Sequence, residues 1–316
     1  MWKHILGRII LIFVALMLII TLLFFSMNIA MFHKYFKSLT FVQYFPFIWD
    51  DFVEYLTNIF KHWDWGISRD GDPVWDIVFY KVHYTLKITL ASVIFFLVFG
   101  LILGIFTALK KDTVIDKTIT TLLALFSVVP NYVIVWFLML SIGWGLQWVP
   151  PYYPVSTEAP IQALLGFVIP VLALSLWPLA KITFLVRGEV SEILSEEFML
   201  LARTKGLTKF QCVKRHAMKN AFVVVLPELV TSFLFVLGSS FIVEIIYNIQ
   251  GVANLFFDSL LSPFMDGYYV FMDIPVAILI ATFYMSFGLV FSLIVDIIQS
   301  FVDPRIRMGS KKAQIE

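Results

Sequence analysis

The chain has 316 residues, with 23 Lys and Arg against 22 Asp and Glu and a formal net charge of +1. Hydrophobic residues make up 60% and charged residues 14%, with a mean hydropathy of +0.90. Soluble domains carry about 25% charged residues, so composition excludes that class and predicts an integral membrane protein. The single cysteine, Cys212, excludes an internal disulfide framework, and the five His show no metal-ligand spacing. No G-x-x-x-x-G-K-[ST] stretch occurs, so any nucleotide hydrolysis belongs to another chain. No nucleic-acid partner is expected.

A membrane crossing needs about 20 apolar residues, and charges bracket six such windows. After a short basic start (1–8), the first span covers 9–32. Its apolar run is too long for a cleaved leader and lacks a small-residue cleavage site, so it is expected to be retained. A loop over 33–84 follows, then a second span (85–109) and a third (118–146). The fourth covers 159–186, with Lys181 read as the charge that closes its apolar run. After a polar segment (187–219) come the fifth (220–247) and sixth spans (274–302) and a tail (303–316).

Lys and Arg set the orientation. Lys3 and Arg8, then Lys110, Lys111 and Lys117, then the polar segment, then Arg305, Arg307, Lys311 and Lys312 all fall on one side. The alternate loops, 147–158 and 247–273, hold no Lys or Arg. Both termini and the polar segment are therefore expected in the cytoplasm.

The 33–84 loop is dense in aromatic residues, among them Trp49, Trp63, Trp65 and Trp75. Two readings fit: a cap that meets an external protein or the pore mouth, or rings at headgroup level on short helices. Trp65 to Ser68 and Gly71 to Pro73 read as turns before the second span. Pro130, Pro170, Pro178, Pro227 and Pro275 fall in spans, where they serve as kinks or hinges. Lys87, Lys181, Glu228, Glu244 and Asp296 are placed near span ends, which argues against a proton-coupled carrier.

The polar segment 187–219 carries seven Lys and Arg against four Glu between two apolar blocks. It reads as two short helices around a joint. Ile193, Leu194, Phe198, Leu201 and Ala202 recur at three- and four-residue spacing and predict an apolar stripe. Gly206 falls where a helix C-terminus favours a left-handed residue, with Arg203 and Lys205 at the negative end of the dipole. Thr208 and Gln211 match a capping box that starts a second helix, with Phe210, Val213 and Ala217 as its apolar stripe. Such an elbow suits a partner's groove; it equally suits two amphipathic helices on anionic headgroups.

The stretch Phe198 to Thr208, followed by Arg215-His216-Ala217-Met218-Lys219-Asn220-Ala221, resembles the cytoplasmic loop of ABC importer permeases known as the EAA motif. It is most similar to the dipeptide/oligopeptide/nickel family, first-permease type. Leu200 stands where the wider family has Glu, and Met218-Lys219 where it has Leu-Pro. Three further sites carry the resemblance: Gly66, Ser68 and Pro73 before the second span; Glu244 to Ala253, including Gly251; and Asp296 with Asp303-Pro304-Arg305 at the end. Gln250 replaces a usual Pro and Ala253 a usual Gly, and Met27 to Lys37 lacks the family's P-G-D-P.

The resemblance implies an all-α, six-span type I importer fold in the plasma (inner) membrane of a prokaryote. It implies peptides or peptide-like solutes, with nickel or metal chelates among relatives' cargo. It implies a second homologous permease, two ATPase subunits that hold ATP and Mg, an extracytoplasmic solute-binding protein and membrane lipid as partners. This chain would itself be no enzyme, with no catalytic residue, metal or cofactor. Glu197, Phe198, Leu201, Ala202, Arg203, Lys205, Gly206, Leu207, Thr208, Arg215 and His216 would form the ATPase-coupling loop. The other readings are a secondary carrier, which needs ion-coupling groups at mid-membrane, and a non-transporting scaffold or channel.

Overall fold

A computed structural model describes residues 2–35, 41–154, 160–260 and 272–302, and these are helical almost throughout. The helices in chain order are α1 (Trp2–Tyr35), α2 (Phe41–His62), α3 (Val74–Leu109), α4 (Val114–Val128), α5 (Asn131–Leu138), α6 (Pro160–Leu165), α7 (Val168–Ser195), α8 (Glu197–Thr204), α9 (Lys209–Cys212), α10 (Met218–Ile246), α11 (Val252–Leu260) and α12 (Ile274–Val302). Two π-helical segments, Met139–Gly145 and Val213–Ala217, continue α5 and α9. Among the described residues the only β pairing is an isolated bridge between Ile67 and Pro73. Among the described residues five helical stretches are long and apolar enough to cross a membrane, and a sixth is counted if the bent pair built from α4 and α5 is one span.

The chain divides into two compact units, one formed by residues 2–86 and 249–290 and the other by 87–248 and 291–316. In the first unit α2 lays an apolar stripe against α1. Ile48, Phe52 and Ile59 are buried at helical spacing, and the ring of Phe24 meets those of Phe52 at 5.3 Å and Tyr55 at 5.4 Å. The aromatic loop is thus largely a 22-residue amphipathic helix with a packed core beneath it. Phe47 is exposed, whereas the half-exposed Trp49 still meets Phe25 of α1 at 6.3 Å.

Between α2 and α3 the turn is fixed by backbone bonds. Val74 N–H donates to Gly66 O at 3.1 Å and Ser68 N–H to Asp72 O at 2.8 Å. Gly66 has φ +92° and Gly71 φ +91°, backbone that glycine adopts without a Cβ penalty. Ser68 Oγ accepts from Asp72 N–H, and Asp273 accepts from Arg69 N–H at 2.8 Å. Gln250 Oε1 accepts from Lys81 Nζ at 3.0 Å.

In the second unit α7 is the axis on which α4, α5 and α10 pack. The closest approach is made by α3. A Cβ built on Gly100 would stand 2.7 Å from Ile182 Cγ2, and one on Gly104 2.6 Å from Val186 Cβ. Gly100 and Gly104 form the small-xxx-small spacing that lets two membrane helices touch backbone to side chain.

The 118–146 stretch, expected as one crossing with a kink or hinge at Pro130, is sharply broken there. α4 and the helix that begins at Asn131 meet at 106°. Pro130 causes the break, since a proline forces the residue before it out of helical backbone; Val129 has ψ 127° and Pro130 ψ 141°. Lys181 and Glu228 lie inside α7 and α10 and pair at 2.9 Å, and α7 runs fourteen residues past Lys181.

Candidate functional site

The elbow forms where α7 stops at Ser195. Glu196 leaves the helix with ψ 148°, and its N–H donates to Ile193 O. Residues 187–195, expected within the polar interruption, are thus the last turns of α7. The anticipated single stripe from Ile193 to Ala202 is cut at Glu196, which rotates the register. Met199 is buried, and Phe198 points outward, 50% exposed. Glu197 opens α8, where a carboxylate favours the positive end of the helix dipole. Leu201, Ala202 and Arg203 follow on the same helix.

At its C-terminal end, Leu207 N–H donates to Ala202 O at 3.3 Å and Gly206 takes φ +89°. That is the long-range bond and left-handed residue of a Schellman stop. Nothing lies within 4 Å of a Cβ built on Gly206, so the glycine is there for backbone reasons rather than for room. Lys205 is exposed beside it.

Thr208 starts the second arm. Its Oγ1 accepts from Gln211 N–H at 3.2 Å, and Gln211 Oε1 accepts from Thr208 N–H at 2.9 Å. Both halves of a capping box are present. Cys212, Val213 and Ala217 are buried, whereas Phe210 is 60% exposed. Phe210 therefore lies outside the apolar stripe to which its spacing assigns it. Lys214 and Arg215 are exposed on the π-helical segment that also contains His216. The elbow therefore presents two aromatic rings, Phe198 and Phe210, among exposed cations.

An ion pair anchors the helix that carries the elbow. Arg187 Nε donates to Asp116 Oδ1 and Nη2 to Oδ2, both at 2.7 Å. Asp116 is 1% exposed and also accepts from Asp112 N–H. Spacing gives no signal for this pair, because 71 residues separate its members.

The other motif residues are not gathered at the elbow. Gly66, Ser68 and Pro73 shape the turn before α3, and Gly251 is buried ahead of α11. Glu244 is fully buried near the end of α10, and Asp296 lies on α12. Asp303, Pro304 and Arg305 fall outside the described residues. Beside Glu244, Tyr247 donates through its hydroxyl to Pro150 O and accepts from Tyr153 N–H through its carbonyl.

Residues 100–308 match the model of the family described as binding-protein-dependent transport system inner membrane component. The chain is 31% identical over 64% of its length to the dipeptide transport system permease protein DppB of Lactococcus lactis, covering 61% of that protein. It is 25% identical over 78% of its length to the probable peptide ABC transporter permease protein y4tP of Sinorhizobium fredii, covering 79% of it. It is 28% identical over 64% of its length to the oligopeptide transport system permease protein OppB of Escherichia coli K12, covering 62% of it. The chain thus spans about three fifths of the length of two of these three relatives. An inward-facing crystal structure of the MetNI methionine ABC transporter superposes with a TM-score of 0.55 at 15% identity, covering 72% of this chain and 96% of that one.

Proposed function

From the premise that this chain belongs to the family of binding-protein-dependent transport system inner membrane components, we propose that it is a pore-forming subunit of an ATP-driven importer of peptides or peptide-like solutes. Its fold is that of an ABC importer permease, all-α and membrane-spanning. The relatives named for dipeptides and oligopeptides support the solute class; nickel or metal chelates are the second choice.

The elbow is the observation that carries the reading. Two short helices, stopped by Gly206 and restarted by the Thr208 box, hold Phe198 and Phe210 outward at the foot of α7 and α10. Exposed rings beside Lys205, Lys214 and Arg215 suit insertion into a groove of a second protein. That protein is an ATPase subunit, which holds the ATP and Mg. Closure of two such subunits pulls on the elbows, and the spans rock between outward- and inward-open states. A second homologous permease completes the pore, a solute-binding protein delivers cargo from outside, and lipid surrounds the assembly. The elbow and both termini lie in the cytoplasm of a prokaryotic cell.

The complex reconstituted in vesicles, with its ATPase and solute-binding protein, tests this. ATP should drive accumulation of a labelled dipeptide, and cross-links from A202C and K205C should land on the ATPase. Uptake driven by a proton gradient without ATP would favour a secondary carrier, a class that the mid-span pair of Lys181 and Glu228 would also suit. Cross-links that reach only lipid would overturn the coupling role.

A further inference from the structure

Lys181 Nζ stands 2.9 Å from Glu228 Oε1, joining α7 to α10. Lys181 is thirteen residues beyond Val168 and fourteen short of Ser195. A hydrocarbon core about 30 Å thick takes some 20 residues of helix. For such a window lying wholly within α7, Lys181 is at least about five residues, or ~7 Å, from its nearer end. Facing lipid, one Lys at the centre of the core costs about 3 kcal/mol.

Glu228 is largely enclosed, with 16% of its side chain exposed, whereas 40% of Lys181 remains open. The Lys181 side chain is therefore open on one side. The surroundings are polar and aromatic. The Lys181 ammonium lies 4.8 Å from the centroid of the Trp177 ring, and Trp177 stacks on Phe235 at 4.2 Å. Ser232 Oγ donates to Glu228 Oε1. Thr231 and Gly238, exposed seven residues apart, continue the same face of α10 with the exposed Leu234 between them.

We propose that Lys181 and Glu228 line the solute path and bind the two charged ends of a free peptide. Lys181 takes the carboxylate and Glu228 the ammonium. This rests on the reading of the chain as a peptide importer. Opening a resident ion pair at low dielectric leaves two unmatched charges. A zwitterionic solute replaces both partners at once, whereas a capped peptide replaces only one. The pair would thus favour free peptides over blocked ones by about tenfold or more, the factor that 1.4 kcal/mol carries.

The test uses the complete complex in vesicles with labelled Ala-Ala, its N-acetyl form and its C-terminal amide. K181M alone strands Glu228 and risks misfolding, so the decisive variant is the double K181M/E228M, which leaves neither charge unpaired. Free-dipeptide uptake should fall about tenfold or more, while uptake of the capped forms stays near wild type. In a second measurement, T231C, beside the intact pair, should react with a membrane-impermeant thiol reagent, and Ala-Ala should slow that reaction; the native Cys212 is buried. Unchanged discrimination in the double variant would assign selectivity to the external binding protein and overturn the proposal. A T231C thiol that the reagent never reaches would overturn it too, placing this face against another subunit or lipid. Wild-type complex that takes up no dipeptide with ATP would instead overturn the importer reading, while protection of T231C by Ala-Ala would still support the site.

Discussion

Gly104 lies so close to Val186 that a Cβ on the glycine would stand 2.6 Å from the Cβ of the valine, on backbone that cannot retreat independently of α3. Gly104→Leu should abolish assembly of the folded chain in detergent, read as loss of the monodisperse peak on size exclusion. Gly104→Ala should destabilise by about 1–3 kcal/mol, the range for overpacked cores. Adding Val186→Ala should recover much of that loss, and a melt of the double variant no better than the single would refute the contact.

Asp116 and Arg187 make a prediction of opposite character. Removing one member of a buried pair costs about 3–5 kcal/mol, because the other is left uncompensated. Arg187 is 29% exposed, so Arg187→Ala should fall at the low end of that range and Asp116→Ala, which strands the cation in partial contact with water, below it. Thermal melts of the purified complex give both numbers. Arg187→Lys should rescue only in part, since a single ammonium cannot make the two parallel bonds of the guanidinium.

At Gly206 the cost is conformational, with φ +89° and open space around the missing Cβ. Left-handed backbone costs a residue with a Cβ about 1–2 kcal/mol. Gly206→Val should cut uptake and its coupling to ATP hydrolysis while leaving insertion normal. Gly206→Asn, which tolerates that region better, should retain most of both. Equal uptake by the valine variant and wild type would separate the elbow from transport.

Phe198 and Phe210 are exposed in this chain, so truncating them should leave its stability within about 0.5 kcal/mol. If they anchor the ATPase, each alanine variant should weaken association by about 2 kcal/mol or more, as interface aromatics do. Co-purification of the ATPase against membrane-extracted variants measures this. Thr208→Ala should show the reverse balance, losing about 1 kcal/mol of helix stability through its cap.

What the sequence shows and what it hides divide along the range of the interactions. Gly206, Thr208 and Gln211 are local signals, because a helix stop and a capping box are decided within four residues. The helices at 218–246 and 274–302 announce themselves by hydropathy. Periodicity assigns Phe198 to the buried stripe only because it presumes an unbroken helix; the break at Glu196 shifts the register so that Met199 is the residue enclosed. Lys181 reads as the end of an apolar run because charges bracket such runs; its pairing with Glu228 on α10 is beyond any spacing rule. The pairing of Asp116 with Arg187 joins residues that no spacing rule connects. The four-residue spacing of Gly100 and Gly104 is local too, a mark of the close seam of α3 that hydropathy and charge do not register.

The bond between Asp116 and Arg187 also fixes a parity. From Val168 to Arg187, α7 runs nineteen residues, about 29 Å at 1.5 Å each, a length that suffices for one passage through a bilayer. Two atoms 2.7 Å apart share one depth, so whatever passages the chain makes between Asp116 and Arg187 cancel in direction, and their number is even.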